Sequence, residues 1–310
     1  MAYGAYRAAE KLGITGIKFV GIDGLPGPEG GIEMVKNDIF SATFTCPTGG
    51  KEAIIYAMDI LHHEEGIPKK MILRTSLLTK QTLEEGIPAP VSRIRSSNQD
   101  EKIILGFAQV GKESDWRLAN TESIKTAARE SGIELLFRDG EQQQENQIKA
   151  IREFIEKRVD VIAFSANVES GWGEVLREAK AAGIPVFIID RPVDEKDESL
   201  WVSLMGSDFV EEGRRAAQWL VKHLDTVESV HIVELQGTIG SAPAIDRKIG
   251  FEEVLEAYPN YRITRSESGD FFRSTGEVVM RRILTEMKDN GEEFDVLFAH
   301  NDDMAIGAIR

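Results

Sequence analysis

The sequence predicts an α/β protein of two doubly wound lobes, each a parallel sheet covered by helices on both faces. Three observations lead there. Short runs rich in Ile, Val and Phe alternate with amphipathic helical stretches almost throughout; near-continuous apolar strands joined by helical crossovers are the pattern of buried parallel sheets. The alternation falls into two series, 102–191 and 229–310, each with its own strand set. The chain, at 310 residues, has room for two medium domains with ample cores.

The first strand is expected at 17–22 (IKFVGI). It follows MAYGAYRAAEKLG, which lacks a basic segment ahead of an apolar core and so reads as a helix without its beginning, not as a secretory signal. Residues 82–101 (TLEEGIPAPVSRIRSSNQDE) mix prolines, serines and both charges, the composition of a junction, which we place at 86–101. Strands follow at 103–109, 133–137, 160–164 and 185–189, with helices at 117–131, 143–158 and 172–182. In 143–158, Ile148, Ile151, Phe154 and Ile155 form one apolar stripe at helical spacing. The strand-like stretch 199–209 (SLWVSLMGSDF) is placed to cross between lobes. Beyond it come strands at 229–235, 261–265 and 295–299, with helices at 208–224, 243–257 and 273–289.

Composition narrows the function. Hydrophobic residues make up 42% and charged residues 29%, which excludes wholesale disorder. The net charge of −15, from 37 Lys and Arg against 52 Asp and Glu, argues against a nucleic-acid surface, which needs clustered cations. A lone cysteine, Cys46, excludes an internal disulfide and any multi-cysteine metal site. No apolar run approaches the roughly 20 residues of a membrane-spanning helix.

Catalytic signatures are missing. The histidines (His62, His63, His223, His231 and His300) fall in no HExxH or paired ligand spacing, and neither GxSxG nor GxGxxG occurs after a strand. The segment VGIDGLPGPEGG is glycine-rich but lacks the Lys-Ser/Thr that holds nucleotide phosphates. Cofactors and metals are therefore not expected. Instead, polar and aromatic residues cluster at the carboxyl ends of strands, where open α/β sheets meet their ligands. Trp116 and Arg117 follow 103–109, and Asp190 and Arg191 follow 185–189. Arg247 lies about two turns into the helix that follows 229–235, Phe271 and Phe272 follow 261–265, Asn301 follows 295–299, and Asp23 follows 17–22. Carboxylates accept hydroxyl pairs, guanidinium groups donate in a fixed fork, and flat rings cover C–H faces, so the set suits a polyol.

The stretches GFAQVGKESDWR, DGEQQQENQIKAIREF, GIPVFIIDRP, VELQGTIGSAPAIDRKIGF, RSESGDFFRS and AHNDDMAIGAI together resemble the ribose-type periplasmic sugar-binding proteins of ABC importers, most of all the galactofuranose-binding members. The resemblance runs through nearly all of 102–310, and residues 1–80, including KFVGIDG, are similar to the family's C-terminal part. The order differs: the family's late segment stands first here and its opening strand begins at 102. Residues 1–7 (MAYGAYR) and 304–310 (MAIGAIR) match at Met, Ala, Gly, Ala and Arg. Chance similarity of two alanine-rich helices is one reading; the other is a circular permutant whose cut helix is present in two copies.

The resemblance implies a type I periplasmic-binding-protein fold, with lobe one at 47–69 and 102–203 and lobe two at 1–46, 70–85 and 205–310, closing over one sugar. It implies Trp116 as a wall of the sugar with Arg117 beside it, Asp190 accepting and Arg191 donating, and Arg247, Asn301, Asp23 and Phe271 closing from lobe two. Glu113 is an additional polar contact, and Cys46 lies near the family's hinge-end position. Arg117 stands where ribose binders carry an aromatic, which favours a galactofuranose-like ligand. A permease partner, an extracytoplasmic location and a monomeric state follow from the same resemblance. Two alternatives stay open: a sensing domain of this fold serving a chemoreceptor or regulator, and a binder of arabinose or ribose. An enzyme would need a tuned acid/base pair, and Asp190 and Asp23 fall in opposite lobes.

Overall fold

Apolar residues on successive strand positions require cover on both faces, and the computed structural model provides it. It describes residues 20–21, 31–40, 42–45, 47–62, 64–74, 76–85, 103–224 and 228–308. In chain order its strands are β1 (Val20–Gly21), β2 (Ala42–Phe44), β3 (Lys70–Ile72), β4 (Leu77–Leu78), β5 (Ile104–Gln109), β6 (Glu134–Asp139), β7 (Val161–Phe164), β8 (Val186–Ile189), β9 (Ser203–Gly206), β10 (Val230–Gln236), β11 (Tyr261–Ser268) and β12 (Val296–Ala299). The helices are α1 (Gly31–Lys36), α2 (Gly50–Leu61), α3 (Lys80–Glu85), α4 (Asp115–Glu130), α5 (Gln144–Glu156), α6 (Gly173–Ala181), α7 (Phe209–His223), α8 (Ala242–Leu255), α9 (Arg273–Asn290) and α10 (Asp302–Ala308).

The first lobe is built on a six-stranded sheet in the order β3-β9-β8-β7-β5-β6, parallel at every pairing. Alternate residues of one strand enter different cores. Val161 and Ala163 of β7 pack with Ile54, Ala57 and Met58 of α2 and with Ile124 and Ala127 of α4. Ile162 and Phe164 face Ile151 and Phe154 of α5 and Val175 and Leu176 of α6. The stripe expected in 143–158 is thus half of a core.

The second lobe centres on β10, flanked in parallel by β11 and β12. Val233 and Leu235 pack against Val279, Met280 and Ile283 of α9, while Ile232 packs with Leu220 of α7 and Phe251 of α8. A separate small sheet joins β1 and β2 in parallel and β2 and β4 antiparallel.

The strands and helices expected from 103 to 299 coincide with observed elements. Two boundaries differ. The resemblance assigns 70–85 to the second lobe, but Lys70, Met71 and Ile72 pair with Leu204, Met205 and Gly206 at the edge of the six-stranded sheet. All of β9 belongs to that sheet too, past the limit expected at 203. A three-residue edge strand is too short to carry much propensity signal of its own; the open main-chain edge of β9 recruits it. Residues 1–7, Asp23, Cys46 and the 86–101 junction lie outside the described residues, and the second copy of the repeat falls in α10 up to Ala308.

Candidate functional site

The carboxyl ends of β5, β7 and β8 deliver their loops to one place. After β5 the chain turns into α4, whose N-cap Ser114 accepts from the Arg117 amide. That cap fixes the first turn, so that Glu113 and Arg117 project together. Glu113 Oε1 accepts from Arg117 Nε at 2.9 Å and from Arg191 Nη2 at 3.1 Å. Arg117 Nη2 donates to Asp190 Oδ2 at 2.6 Å, and Ser165 Oγ donates to the same oxygen at 3.3 Å. Arg191 Nη1 donates to the Asn167 carbonyl at 3.4 Å.

Glu113, Arg117 and Arg191 are 4%, 2% and 3% exposed. Two buried guanidinium groups against two carboxylates sum to zero formal charge, the condition under which buried ions are tolerated. Burial favours a neutral Glu113, but the charges of Arg117 and Arg191 outweigh it and hold this carboxyl below its ordinary value. Burial likewise works against charge on Arg117, and Glu113 and Asp190 overcome it, raising its pKa. Arg191 fares differently. Burial and the neighbouring Arg117 lower it to about 10 despite the two carboxylates, so it stays charged at neutral pH but is under-compensated. Glu113 Oε2, Arg191 Nε and Asn167 Oδ1 are buried without a hydrogen-bond partner among the described residues.

Backbone strain sits at the same place. Asp190 has φ of +66°, its following amide bonds back to the Ile189 carbonyl at 2.8 Å, and its own amide bonds to Met205 at 2.6 Å. This tight turn aims the carboxylate out of the strand line, a costly conformation for a residue with a Cβ. From the second lobe, Phe271 has φ of +64° and lies 3% exposed with its ring 5.1 Å from the Arg191 guanidinium carbon. Gly237 makes this possible: a Cβ there would stand 1.9 Å from Phe271 Cζ. Trp116, half-buried, lies under the Arg117 guanidinium at 4.9 Å.

Two expected residues are placed differently from the rest. Asn301 donates from Nδ2 to the Phe271 carbonyl at 3.0 Å and accepts at Oδ1 from the Met304 amide, so it braces Phe271 and caps α10. Arg247 donates to Glu212 at 2.9 Å and to the His300 carbonyl at 2.8 Å, with its guanidinium 5.0 Å from the Phe209 ring. Behind it, buried Glu234 contacts His300 at 3.0 Å, Lys248 at 2.7 Å and the Ser266 hydroxyl. Burial opposes ionisation of Glu234 most, yet those hydrogen bonds together bring it to about 2. Burial also lowers the pKa of His300, against the pull of Glu234.

Ser165 and Asn167 were missed by the sequence reading. Their signal was available: they follow strand 160–164 as the other candidates follow theirs, and Gln147, fully buried in α5, ties down both by accepting from the Asn167 amide and donating to the Ser165 carbonyl. The cluster presents unsatisfied acceptors and a donor between two aromatic rings. Such groups can exchange hydrogen bonds with neutral hydroxyls, and a Glu113 held below its ordinary pKa is no proton donor at neutral pH.

Two parallel-sheet lobes with the cluster between them constitute the type I periplasmic-binding-protein fold. The chain belongs to that family: residues 105–310 match the periplasmic binding protein domain. It is 48% identical over 208 residues to the galactofuranose-binding protein YtfQ of Escherichia coli (strain K12), covering 67% of this chain and 65% of the relative. A Mycobacterium smegmatis structure in complex with β-D-fucofuranose is 52% identical, with a TM-score of 0.64 over 67% of each chain. The binding component of the arabinose ABC transporter from Shewanella sp. ANA-3, bound to α- and β-L-arabinofuranose, is 47% identical, with a TM-score of 0.63 over 66% of this chain and 67% of that one. The chain spans about two thirds of the length of the first two curated relatives, at 65% and 66%.

Proposed function

We propose that this protein captures a monosaccharide in its furanose form between the lobes and delivers it, unchanged, to the permease of an ABC importer outside the cytoplasm. The observation that carries the reading is the buried Glu113–Arg117–Asp190–Arg191 cluster, in which Glu113 Oε2 and Arg191 Nε have no hydrogen-bond partner among the described residues. Sugar hydroxyls supply both a donor and an acceptor at adjacent carbons, which these atoms need. Trp116 and Phe271 then cover the C–H faces, and Arg247 closes from the second lobe. Closure on the sugar is a population shift toward the state in which these groups are satisfied. A sugar lacking one hydroxyl leaves a buried polar group unpaired, which is the source of selectivity.

The same proposal includes the segment order of a circularly permuted, monomeric member with the lobe boundaries adjusted at β3 and β9. The parallel pairing of β3 with β9 and the packing of α2 beside α4 support it, since residues before the junction complete a sheet built mostly after it.

Thermal unfolding with L-arabinose, D-ribose and D-galactose, followed by isothermal titration, tests the reading. Sugar at about a thousand times its dissociation constant adds roughly 4 kcal/mol, a shift of several degrees. Saturation by only a minor fraction of total D-galactose indicates selection of the furanose. A rearranged chain that begins at residue 102 and continues from 310 into 8 should bind the same sugar. Absence of any shift, or chemical conversion of the sugar, overturns the function; a rearranged chain with a different preference overturns the order.

A further inference from the structure

We propose that Asp115, Arg273 and Asp303 form a clasp between the lobes that positions the Trp116–Arg117 turn and sets how slowly a bound sugar leaves. The inference rests on the sugar-binding reading above. Asp303, in the first turn of α10, is 7% exposed and spends both oxygens. Oδ1 accepts from Arg273 Nε at 2.8 Å, and Oδ2 accepts from the main-chain N–H of Asp115 at 2.9 Å. Arg273 Nη2 continues across to Asp115 Oδ2 at 2.8 Å.

Three helix N-termini converge here: Asp115 opens α4 of the first lobe, Arg273 opens α9, and Asp303 lies at the start of α10. Carboxylates are favoured at such ends by the unpaired amides and the helix dipole. A guanidinium at the start of α9 is disfavoured there, and two carboxylates compensate it. The Arg273–Asp303 pair belongs to one lobe and survives opening; the amide and carboxylate of Asp115 are the parts that join and release. The clasp is therefore half preformed, which limits the entropy lost on closing.

Its position ties it to the ligand. Asp115 immediately precedes Trp116, Arg273 lies two residues after Phe271, and Asp303 lies two residues after Asn301, whose amide holds the Phe271 carbonyl. Closing the clasp fixes both aromatic walls at once. These are positioning residues, so their signature is kinetic: closure follows encounter, and the contacts govern dissociation more than association.

Stopped-flow tryptophan fluorescence with L-arabinose and D-galactose tests this. Arg273→Gln should raise the dissociation rate about three-fold, the scale of one solvent-exposed ion pair, and leave association unchanged. Arg273→Lys should recover part of the loss, and Asp115→Ala, which keeps the amide, should cost less. Sugar-free melting of each variant reports folding separately. Amide exchange in the sugar-free protein needs no ligand: Arg273→Gln should speed exchange of the Asp115 amide by lowering the closed fraction and leave 120–124 unchanged. Unchanged dissociation and unchanged exchange in both Arg273→Gln and Asp303→Asn overturn the clasp. A wild type that binds neither sugar, with faster Asp115 exchange in the variant, instead overturns the sugar reading and keeps the clasp.

Discussion

Replacing Glu113 by Gln removes the carboxylate that Arg117 and Arg191 share and leaves two buried guanidinium groups facing Asp190 alone. The formal charge of the cluster changes from zero to +1. Both arginines are 3% exposed or less, so solvent screens little of it. Removing one partner of a buried ion pair costs about 3–5 kcal/mol. The amide oxygen of Gln still accepts from both arginines, which places the cost at the low end, about 3 kcal/mol. At roughly 2–4 °C per kcal/mol for a domain of this size, the melting temperature should fall by about 6–12 °C. Circular dichroism at neutral pH measures it. The pH dependence gives an independent check. Glu113 titrates below its ordinary value of 4.5, so its stabilisation is fully present above that value. It is lost as the pH falls through the lower folded-state value, and the gap between wild type and Glu113→Gln should close in acid. A melting temperature within about 1 °C of wild type, or a gap that does not change with pH, would refute the electrostatic account of the cluster.

Gly237→Ala should be damaging, because the new Cβ would meet Phe271 Cζ at 1.9 Å. Overpacking of about 1–3 kcal/mol should lower the melting temperature and displace the ring from Arg191; sugar titration that matches wild type would count against Phe271 as a wall. Glu169→Gln should act in the opposite direction. Burial, then the charges of Asp246 and Asp194, raise the pKa of Glu169, and its amide bonds across the lobes to the Gly240 carbonyl at 2.9 Å. A carboxylate with a raised pKa penalises the closed state at neutral pH, and the penalty fades as the pH falls through that raised value. Wild-type sugar affinity should thus rise on mild acidification, while Glu169→Gln should bind about three-fold tighter at pH 7.5 with a flatter profile. Calorimetry showing weaker binding by the variant, or parallel profiles, would defeat this reasoning.

Most of the fold was readable because strands buried on both faces must be written in continuous apolar residues, as in Val161–Phe164 and Val186–Ile189. Edge strand β3 was not, because a partner edge more than 130 residues away decides its structure. Within the site, the strand-end rule located Trp116, Arg117, Asp190, Arg191 and Phe271 near one another, and it would have found Ser165 and Asn167 had it been applied to β7. It was blind to partners supplied by other elements. Asn301 and Arg247 were expected to close on a sugar, and the bonds they make to Phe271, Met304, Glu212 and His300 were not foreseen. Likewise the Glu234–Lys248–His300 network joins residues from β10, α8 and the end of β12 that share no spacing pattern.

The pairing of β3 with β9 also dictates a timetable for synthesis. Residues of α2 and β3 leave the ribosome early, but the surfaces that bury Ile54, Ala57 and Met58 lie on α4 and the strands from Leu105 to Met205. At roughly 5–20 residues per second, the nascent segment waits several seconds or more with that apolar face uncovered. The native register of Lys70 against Leu204 cannot form until the sixth strand of the sheet has emerged. Early residues thus serve as the last piece of a sheet nucleated by later ones, and chaperone demand during translation should concentrate on residues 50–72.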